Sequence, residues 1–263
     1  MIVDSHCHVS PYWYEPVESL LFQMDRNGVD RGVLIQYMGQ YDNEYQFECV
    51  KQHPDRLSSV VLIPAKAGDG PAQLEQLVER GATGVRLQPR WRLPGDDPFA
   101  LWRKAEALGL AVSCSSTAQG FAADAFVEII EAVPNLPIVL EHLGSINEPD
   151  GEEAPYPLRS KIFELARFPN VHIKFHGLGE FSKRAMPMKQ PFPFEGCVTP
   201  ILDMALEAFG PDRLMWGSDF PPVSGREGYA NALRFAMQHL ESRPQSEREM
   251  LFGGNAARLF CGG

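Results

Sequence analysis

The segment Met1-Ile2-Val3-Asp4-Ser5-His6-Cys7-His8 opens the chain and joins a short apolar run to side chains that can bind a ligand. Such a run, bounded by polar residues, is typical of a buried β-strand. A counterpart, Arg213-Leu214-Met215-Trp216-Gly217-Ser218-Asp219-Phe220, lies near the other end. Six further runs of this kind lie between the two, at residues 31–37, 57–64, 84–89, 110–116, 136–144 and 171–178. The sequence therefore predicts eight strands, beginning with residues 2–8 and ending with residues 213–220.

Amphipathic helices are predicted between these strands. Apolar residues recur there at helical spacing, as in Val17, Leu20, Leu21 and Met24. Crossovers of this length are too long for hairpins, so neighbouring strands should run parallel. Eight strand–helix units close an α/β barrel, the (β/α)8 TIM barrel. The alternative is an open doubly wound sheet, but no glycine-rich phosphate loop follows the first strand. Because composition shows no break, we expect a single barrel domain over residues 1–263.

Composition excludes several classes of function. Hydrophobic residues make up 44% of the 263 residues, and the net charge is −10. An acidic chain is poorly suited to nucleic acid or an anionic membrane, which attract clustered Lys and Arg. No apolar stretch reaches the length of a membrane span, and the first residues do not resemble a signal peptide. The five cysteines are an odd number without a CxxC pair, so we expect a reduced, cytoplasmic protein.

A metal site is predicted where the first and last strands meet. His6 and His8 are two residues apart on a strand, so both imidazoles project from one face. Asp219 ends the last strand, which is the neighbour of the first in a closed barrel. The three side chains should therefore converge, as ligands of one divalent ion, with zinc the best candidate. The alternative is a pair of hydrogen-bonded interior histidines without a metal.

Strands six and seven supply further candidates. Glu141 and His142 are adjacent, so an ideal strand would point only one of them into the barrel. On strand seven, Lys174 and His176 share the inward face, and Val171, Ile173 and Phe175 form the outer apolar face. A buried lysine requires an anionic partner, and Asp4 is the candidate. Lys174 is therefore either a substrate contact or half of a structural ion pair.

Strand four and two long loops add polar residues at the same end of the barrel. Arg86 and Gln88 share a strand face. Arg86 can bind a substrate carboxylate in bidentate fashion or form structural contacts inside the barrel. The segments 145–157 and 179–196 follow strands six and seven and are longer than the other connections. The second carries basic residues that favour an anionic substrate, namely Lys183, Arg184 and Lys189.

Taken together, six segments make the chain resemble the amidohydrolase superfamily. Within it, the chain is similar to the group that includes pyrone-dicarboxylate lactonase, sugar lactonases and aminocarboxymuconate-semialdehyde decarboxylase. The resemblance covers essentially the whole chain. The segments are Val-Asp-Ser-His-Cys-His at 3–8, Gly-Val-Arg-Leu at 84–87, Glu-His-Leu-Gly at 141–144, Ile-Lys-Phe-His-Gly at 173–177, Arg-Leu-Met-Trp-Gly-Ser-Asp-Phe-Pro at 213–221 and Gly-Gly-Asn-Ala-Ala-Arg-Leu-Phe at 253–260.

The resemblance implies a barrel of the metal-dependent-hydrolase type that acts at a carbonyl of a small acid or lactone. It implies that His6, His8 and Asp219 are site residues and that His142 is a metal ligand or a substrate contact. We assign to Asp219 the activation of water, because a carboxylate is ionised at neutral pH and can accept a proton. We assign His142 and His176 to substrate contact or proton transfer to the leaving group. Metal-dependent members carry a histidine after strand five, where this chain has Ser113-Cys114-Ser115-Ser116. The ion is then held by His6, His8 and Asp219, with His142 or Cys114 as further candidates, or it is absent.

Other functions stay open at this point. A decarboxylase of the same family uses the same residues without hydrolysis. The TatD-type metal-dependent deoxyribonucleases share the opening motif, but the segments expected after strands four and five are missing. A non-catalytic binding barrel is a third alternative. The expected partner is a small, anionic substrate, and a homodimer is possible for such barrels.

Overall fold

The computed structural model describes residues 1–64, 68–144, 154–182, 184–188, 193–194 and 200–262. These contain one parallel sheet of eight strands in sequence order. The strands are β1 Val3–Cys7, β2 Arg31–Ile35, β3 Leu57–Leu62, β4 Ala82–Leu87, β5 Ala111–Cys114, β6 Ile138–Leu140, β7 Val171–Phe175 and β8 Leu214–Trp216. The predicted barrel fold and all eight strands are confirmed, although every strand ends earlier than the sequence pattern suggested.

Helices connect the strands and form the outer layer. They are α1 Val17–Asn27, α2 Glu44–Gln52, α3 Gly70–Glu79, α4 Ala100–Ala107, α5 Ala118–Phe121, α6 Asp124–Ala132, α7 Pro157–Phe163, α8 Ile201–Phe209, α9 Tyr229–His239, α10 Gln245–Glu249 and α11 Asn255–Phe260. Short 3₁₀ turns follow three strands, at His142–Gly144, Leu178–Glu180 and Pro222–Gly225. Among the described residues, no helix is both long and apolar enough to cross a bilayer.

The barrel closes between the segment after β8 and β1. Cys7 and Phe220 form a parallel bridge. The Asp219 N–H donates to the His6 carbonyl oxygen at 2.8 Å, and the His8 N–H donates to the Phe220 carbonyl oxygen at 2.8 Å. The strands approach so closely that a Cβ on Gly217 would lie 2.7 Å from His6 Cβ. Closure therefore places the last strand's polar end directly beside the His6–His8 pair.

Side chains alternate between the two faces of each strand, so the barrel has an outer apolar core against the helices and an inner one. Val171, Ile173 and Phe175 pack outward against the helices, as the sequence predicted for β7. Inside the barrel, a smaller apolar cluster fills the amino-terminal end of the strands, and α11 contributes Phe260 to it. The described cysteines Cys7, Cys49, Cys114 and Cys261 are free and buried, and Cys197 lies outside the described residues.

We predict that Phe260→Ala destabilises the barrel by ~3–5 kcal/mol, because it empties a large, fully enclosed position in the inner core. Equilibrium unfolding in urea measures this loss. Phe22→Ala is the matched control, since Phe22 is exposed and its truncation should change stability little. A loss at Phe260 no greater than at Phe22 would contradict this account of the inner core.

Candidate active site

Four histidines and one carboxylate lie together at the carboxyl ends of the strands. The ring centroids are separated by 4.9 Å for His6 and His8, 4.8 Å for His6 and His176, and 4.2 Å for His142 and His176. Asp219 Oδ1 lies 3.9 Å from His6 Nε2 and 3.6 Å from His8 Nε2. All five side chains are buried. The structure thus brings together His6, His8 and Asp219, and adds His142 and His176 to them.

Hydrogen bonds to the backbone orient two of these rings. His8 Nδ1 lies 2.6 Å from the Ile35 carbonyl oxygen, and His176 Nδ1 lies 3.0 Å from the Gly217 carbonyl oxygen. Because a carbonyl oxygen only accepts, both Nδ1 atoms carry a proton, and Nε2 of the neutral ring has a free lone pair. Burial, together with the charge of His142, lowers the pKa of His176 to about 4, so this ring is neutral at pH 7.

The position of Asp219 is fixed by its backbone conformation and by a contact with Arg226. Its φ of 58° is in the left-handed region, and its N–H is bonded to His6. Arg226 Nη1 donates to Asp219 Oδ2 at 3.1 Å. Burial alone would raise the pKa of Asp219, but His8 and the other imidazoles nearby lower it far below its usual range. Asp219 is therefore an ionised carboxylate in a protected site.

The donor set fits a divalent cation. His6 Nε2 and His176 Nε2 are buried and have no hydrogen-bond partner among the described residues. The ligand atoms of His6, His8 and Asp219 lie within 4.8 Å of one another. Imidazole and carboxylate are ligands of zinc, and metal-binding histidines usually donate their second ring N–H to a carbonyl or carboxylate, as His8 does here.

Cys114 is not a further ligand, contrary to one of the sequence-based alternatives. It packs in the outer core between sheet and helices. Its neighbour Ser113 points into the barrel instead, where its hydroxyl donates to Glu141 Oε1 at 2.7 Å. The reason is the twofold alternation of strand side chains, which turns the two residues to opposite faces.

A charged network lies next to the histidines inside the barrel. Arg86 forms two bonds with Glu141, from Nε to Oε1 at 3.0 Å and from Nη2 to Oε2 at 2.6 Å. Lys174 Nζ donates to Ser113 Oγ at 2.9 Å and lies 3.5 Å from His6 Nδ1. Burial raises the pKa of Glu141, but Arg86 outweighs it and brings the value to about 2. Burial lowers the pKa of Lys174 to about 7.

This network changes two expectations. Asp4 was expected to neutralise Lys174, but Glu141 has the larger electrostatic effect on that lysine. Asp4 instead accepts hydrogen bonds from Ser218 N at 2.7 Å and Tyr229 Oη at 3.0 Å, because its carboxylate faces the segment after β8. In this structure Arg86 forms a structural ion pair with Glu141 inside the barrel. Its contact with a substrate carboxylate stays a prediction.

A sharp turn after β6 explains how adjacent residues both face the site. The strand ends at Leu140, and His142 and Leu143 have φ values of 54° and 51°. The left-handed turn directs Glu141 into the charged network and His142 toward the 3₁₀ turn that follows β7. There His142 Nδ1 lies 2.5 Å from Glu180 Oε1. An ideal strand would turn only one of these two adjacent residues inward, and the bend after Leu140 lets both face the interior.

Glu180 and Arg226 also belong to this site, although neither was predicted from the sequence. Glu180 follows β7, in the long segment expected to overhang the site, but nothing in its spacing connects it to His142. Arg226 Nη1 contacts both carboxylates of this wall, 3.6 Å from Glu180 Oε1 and 3.1 Å from Asp219 Oδ2. It lies beyond the 3₁₀ turn after β8, outside every motif.

The remaining predicted contacts lie at the rim or outside the described residues. Gln88 lines a cleft of ≈ 640 Å³ at the ends of β4 and β5, together with Arg90 and Arg92. Arg90 Nε donates to Gln88 Oε1 at 2.8 Å. Arg184 is exposed and lines a different cleft. Residues 145–153, which include most of the first long loop, and the lysines Lys183 and Lys189 lie outside the described residues.

Fold and site together define a barrel hydrolase with a histidine-rich centre. The sequence matches the Amidohydro_2 family, described as amidohydrolase, over residues 3–261. The chain belongs to this family.

Three relatives illustrate the similarity. The chain is 27% identical to the 4-sulfomuconolactone hydrolase of Rhizobium radiobacter, over 93% of this chain and 80% of that protein. It is 35% identical to the L-fucono-1,5-lactonase of Burkholderia multivorans over 130 residues, which span 47% of this chain and only 43% of that protein. The structure of an amidohydrolase from Burkholderia multivorans with bound zinc superposes with a TM-score of 0.77 at 22% identity, covering 98% of both chains.

We predict that Glu141→Gln lowers the free energy of unfolding by ~3–5 kcal/mol at pH 7, because it leaves the buried Arg86 without a countercharge. The exposed pair of Glu44 and Arg80 provides the control, since Glu44→Gln should change stability little. Urea unfolding of both variants measures the difference, and equal effects would contradict the assigned role.

The ion pair of Glu141 and Arg86 should make the stability of the protein depend on pH. The folded pKa of Glu141, about 2, lies below the ordinary value of 4.5. Its ionised form therefore stabilises the fold above pH 4.5, and that stabilisation is lost as the pH falls toward 2. Across this interval, the Gln variant should lose less stability than the wild type.

Proposed function

We propose that this amidohydrolase hydrolyses the ester bond of a lactone derived from a small organic acid. One observation supports this most strongly: the ionised Asp219 carboxylate is buried beside imidazoles whose Nε2 atoms have no partner among the described residues. Such a site can accept a proton from water and stabilise an oxyanion. The names of the relatives, 4-sulfomuconolactone hydrolase and L-fucono-1,5-lactonase, support a lactone as the substrate class.

In this proposal, Asp219 accepts a proton from the water that attacks the lactone carbonyl. A carboxylate that stays ionised at neutral pH suits this role, and its fixed backbone holds it ready. Either a cation held by the neighbouring imidazoles or the imidazoles themselves would stabilise the developing negative charge on the carbonyl oxygen. His142 and His176 line the space where the substrate must sit and contact it.

We further propose that His6, His8 and Asp219 hold a divalent cation, with zinc the best candidate. When bound, such an ion polarises a carbonyl and lowers the pKa of a water molecule. The Nε2 atom of buried His6 supports this, because it has no hydrogen-bond partner among the described residues, and a bound cation would provide one.

We propose an anionic substrate. Arg90 is exposed and Arg92 half-buried, and both line the cleft at the ends of β4 and β5, with Gln88 between them and the strand. This cleft opens on the same end of the barrel as the histidines, since Gln88 directly follows β4. Guanidinium groups bind carboxylates well, so this rim supports recognition of an acid group on the substrate. Arg86, Lys174, Lys183, Arg184 and Lys189 remain the other candidates for such contacts.

We predict that Asp219→Asn lowers kcat by about a hundredfold or more, because the amide cannot accept the proton from water. The measurement is lactone turnover in ¹⁸O-labelled water, which places one labelled oxygen in the product. Asp203→Asn on the exposed surface of α8 is the control and should retain activity. Near-native kcat in the Asp219 variant would exclude Asp219 as the base, and release of carbon dioxide without label would indicate the decarboxylase alternative.

We predict about one equivalent of divalent metal per chain in protein purified without chelator. Elemental analysis of the wild type and of His8→Gln tests this, because loss of one ligand should weaken binding strongly. Dialysis against chelator should reduce activity, and added zinc should restore it. Full activity of a metal-free preparation would show that the imidazoles act without an ion.

A further inference from the structure

A second cleft adjoins the wall of the site at Arg226. Its volume is ≈ 390 Å³, within the usual range of small-molecule sites. The segments after β7 and β8 and helix α9 border it, and we call it the arginine cleft because Arg184, Arg226 and Arg234 line it. Its described lining contains no histidine. The arginine cleft is therefore distinct from the histidine centre, although Arg226 belongs to both walls.

The arginine cleft is positively charged, although the chain as a whole has a net charge of −10. Its described lining has three arginines and one carboxylate, that of Glu227. Arg226 already faces carboxylates, since its Nε lies 3.7 Å from Glu227 Oε2 and its Nη1 lies 3.1 Å from Asp219 Oδ2. Arg184 and Arg234 form no ion pair with a carboxylate in the part of the chain that the structure describes. Their two positive charges are therefore available to an anion.

Two contacts orient the guanidinium of Arg234. It lies over the ring of Phe235, 4.6 Å from the centroid, and its Nη2 donates to Asn231 Oδ1 at 2.8 Å. A guanidinium has five N–H donors in a planar fork, so most of them remain for a ligand. Because the group is already ordered, it loses little freedom when it binds a carboxylate.

Aromatic rings form a wall of the arginine cleft. Phe194 and Phe235 line it, are buried, and meet edge to face with their centroids 5.6 Å apart. Arg184 pairs with Phe194 in an antiparallel bridge, so its side chain starts beside this wall. Ser182 is 7% exposed and also lines the cleft, and its Oγ has no hydrogen-bond partner among the described residues. The cleft thus combines positive charge, aromatic surface and an unused hydroxyl group.

We propose that the arginine cleft is a second binding site, for a small aromatic carboxylate. The carboxylate accepts N–H donors from Arg184 and Arg234, and the ring packs against Phe194 and Phe235. An inorganic anion would leave the aromatic wall unused, and a neutral aromatic molecule would leave the two charges unmatched. Because Arg226 reaches from this cleft to Asp219, the ligand would lie against the wall of the active site without occupying the histidine centre.

Benzoate is the probe, and isothermal titration calorimetry of the full chain measures its affinity. Two matched ligands separate the contributions: benzamide keeps the ring without the charge, and acetate keeps the charge without the ring. We expect each to bind about tenfold or more weakly than benzoate, because each loses either the charged hydrogen bonds or the apolar contact.

Three variants locate the bound benzoate. Arg234→Gln should weaken its binding by about tenfold or more, because a hydrogen bond to a charged group is lost. Gly225→Leu should also weaken it by filling part of the cleft, and a Cβ on Gly225 meets no atom within 4 Å, so the fold accommodates the change. Arg90→Gln is the matched control, since it removes an exposed arginine from the other cleft and should change the affinity by less than about twofold. Thermal unfolding is measured for every variant.

A crystal structure with 4-bromobenzoate shows the position directly, through the anomalous signal of bromine. We expect the ring in the arginine cleft and the carboxylate at Arg184 and Arg234. Bromine at the histidine centre, or a loss of affinity in Arg90→Gln and not in Arg234→Gln, would overturn the proposal. Equal affinities for benzoate and benzamide would exclude a role of the charges, and no binding of benzoate at millimolar concentration would also contradict it. None of these outcomes depends on whether the enzyme hydrolyses a lactone.

Discussion

The hydrogen bond from the Asp219 N–H to the His6 carbonyl oxygen is the contact on which the site depends. It fixes the segment after β8 to β1 at an aspartate whose backbone is in the left-handed region. Because the bond joins backbone atoms, side-chain changes at the rim do not alter it. The carboxylate and the His6–His8 pair are thus placed by barrel closure itself. A barrel that closed one residue out of register would separate them.

Three layers of side chains fill the barrel along its axis. The inner apolar cluster that contains Phe260 forms the first layer. The charged network of Arg86, Glu141 and Lys174 lies above it, and its charges must be matched because they are buried. The imidazoles form the top layer. Lys174 connects the layers, since its ammonium lies 5.0 Å from the Phe260 ring and 3.5 Å from His6 Nδ1.

The fold and the centre of the site were predictable from the sequence because both depend on the regular alternation of strand side chains and on the order of the strands. Strand alternation and parallel order are sufficient to bring His6, His8 and Asp219 together. They also placed Val171, Ile173 and Phe175 on the outer face. The contacts that escaped prediction depend on turns: the left-handed residues after β6, and the 3₁₀ turn that carries Glu180. The partner of Lys174 escaped for the same reason, since Glu141 reaches the interior only because β6 ends at Leu140.

Closure also has a consequence for the order of events during synthesis. The hydrogen bond from Ser218 N to the Asp4 carboxylate spans 214 residues, so β1 must wait for almost the whole barrel to be translated. At ribosomal rates this delay is on the order of ten to forty seconds. During that time the two histidines of the first strand lack the carboxylate that completes their site. The candidate active site is therefore among the last parts of the molecule to form, and a nascent chain interrupted before Asp219 contains most of the barrel without it.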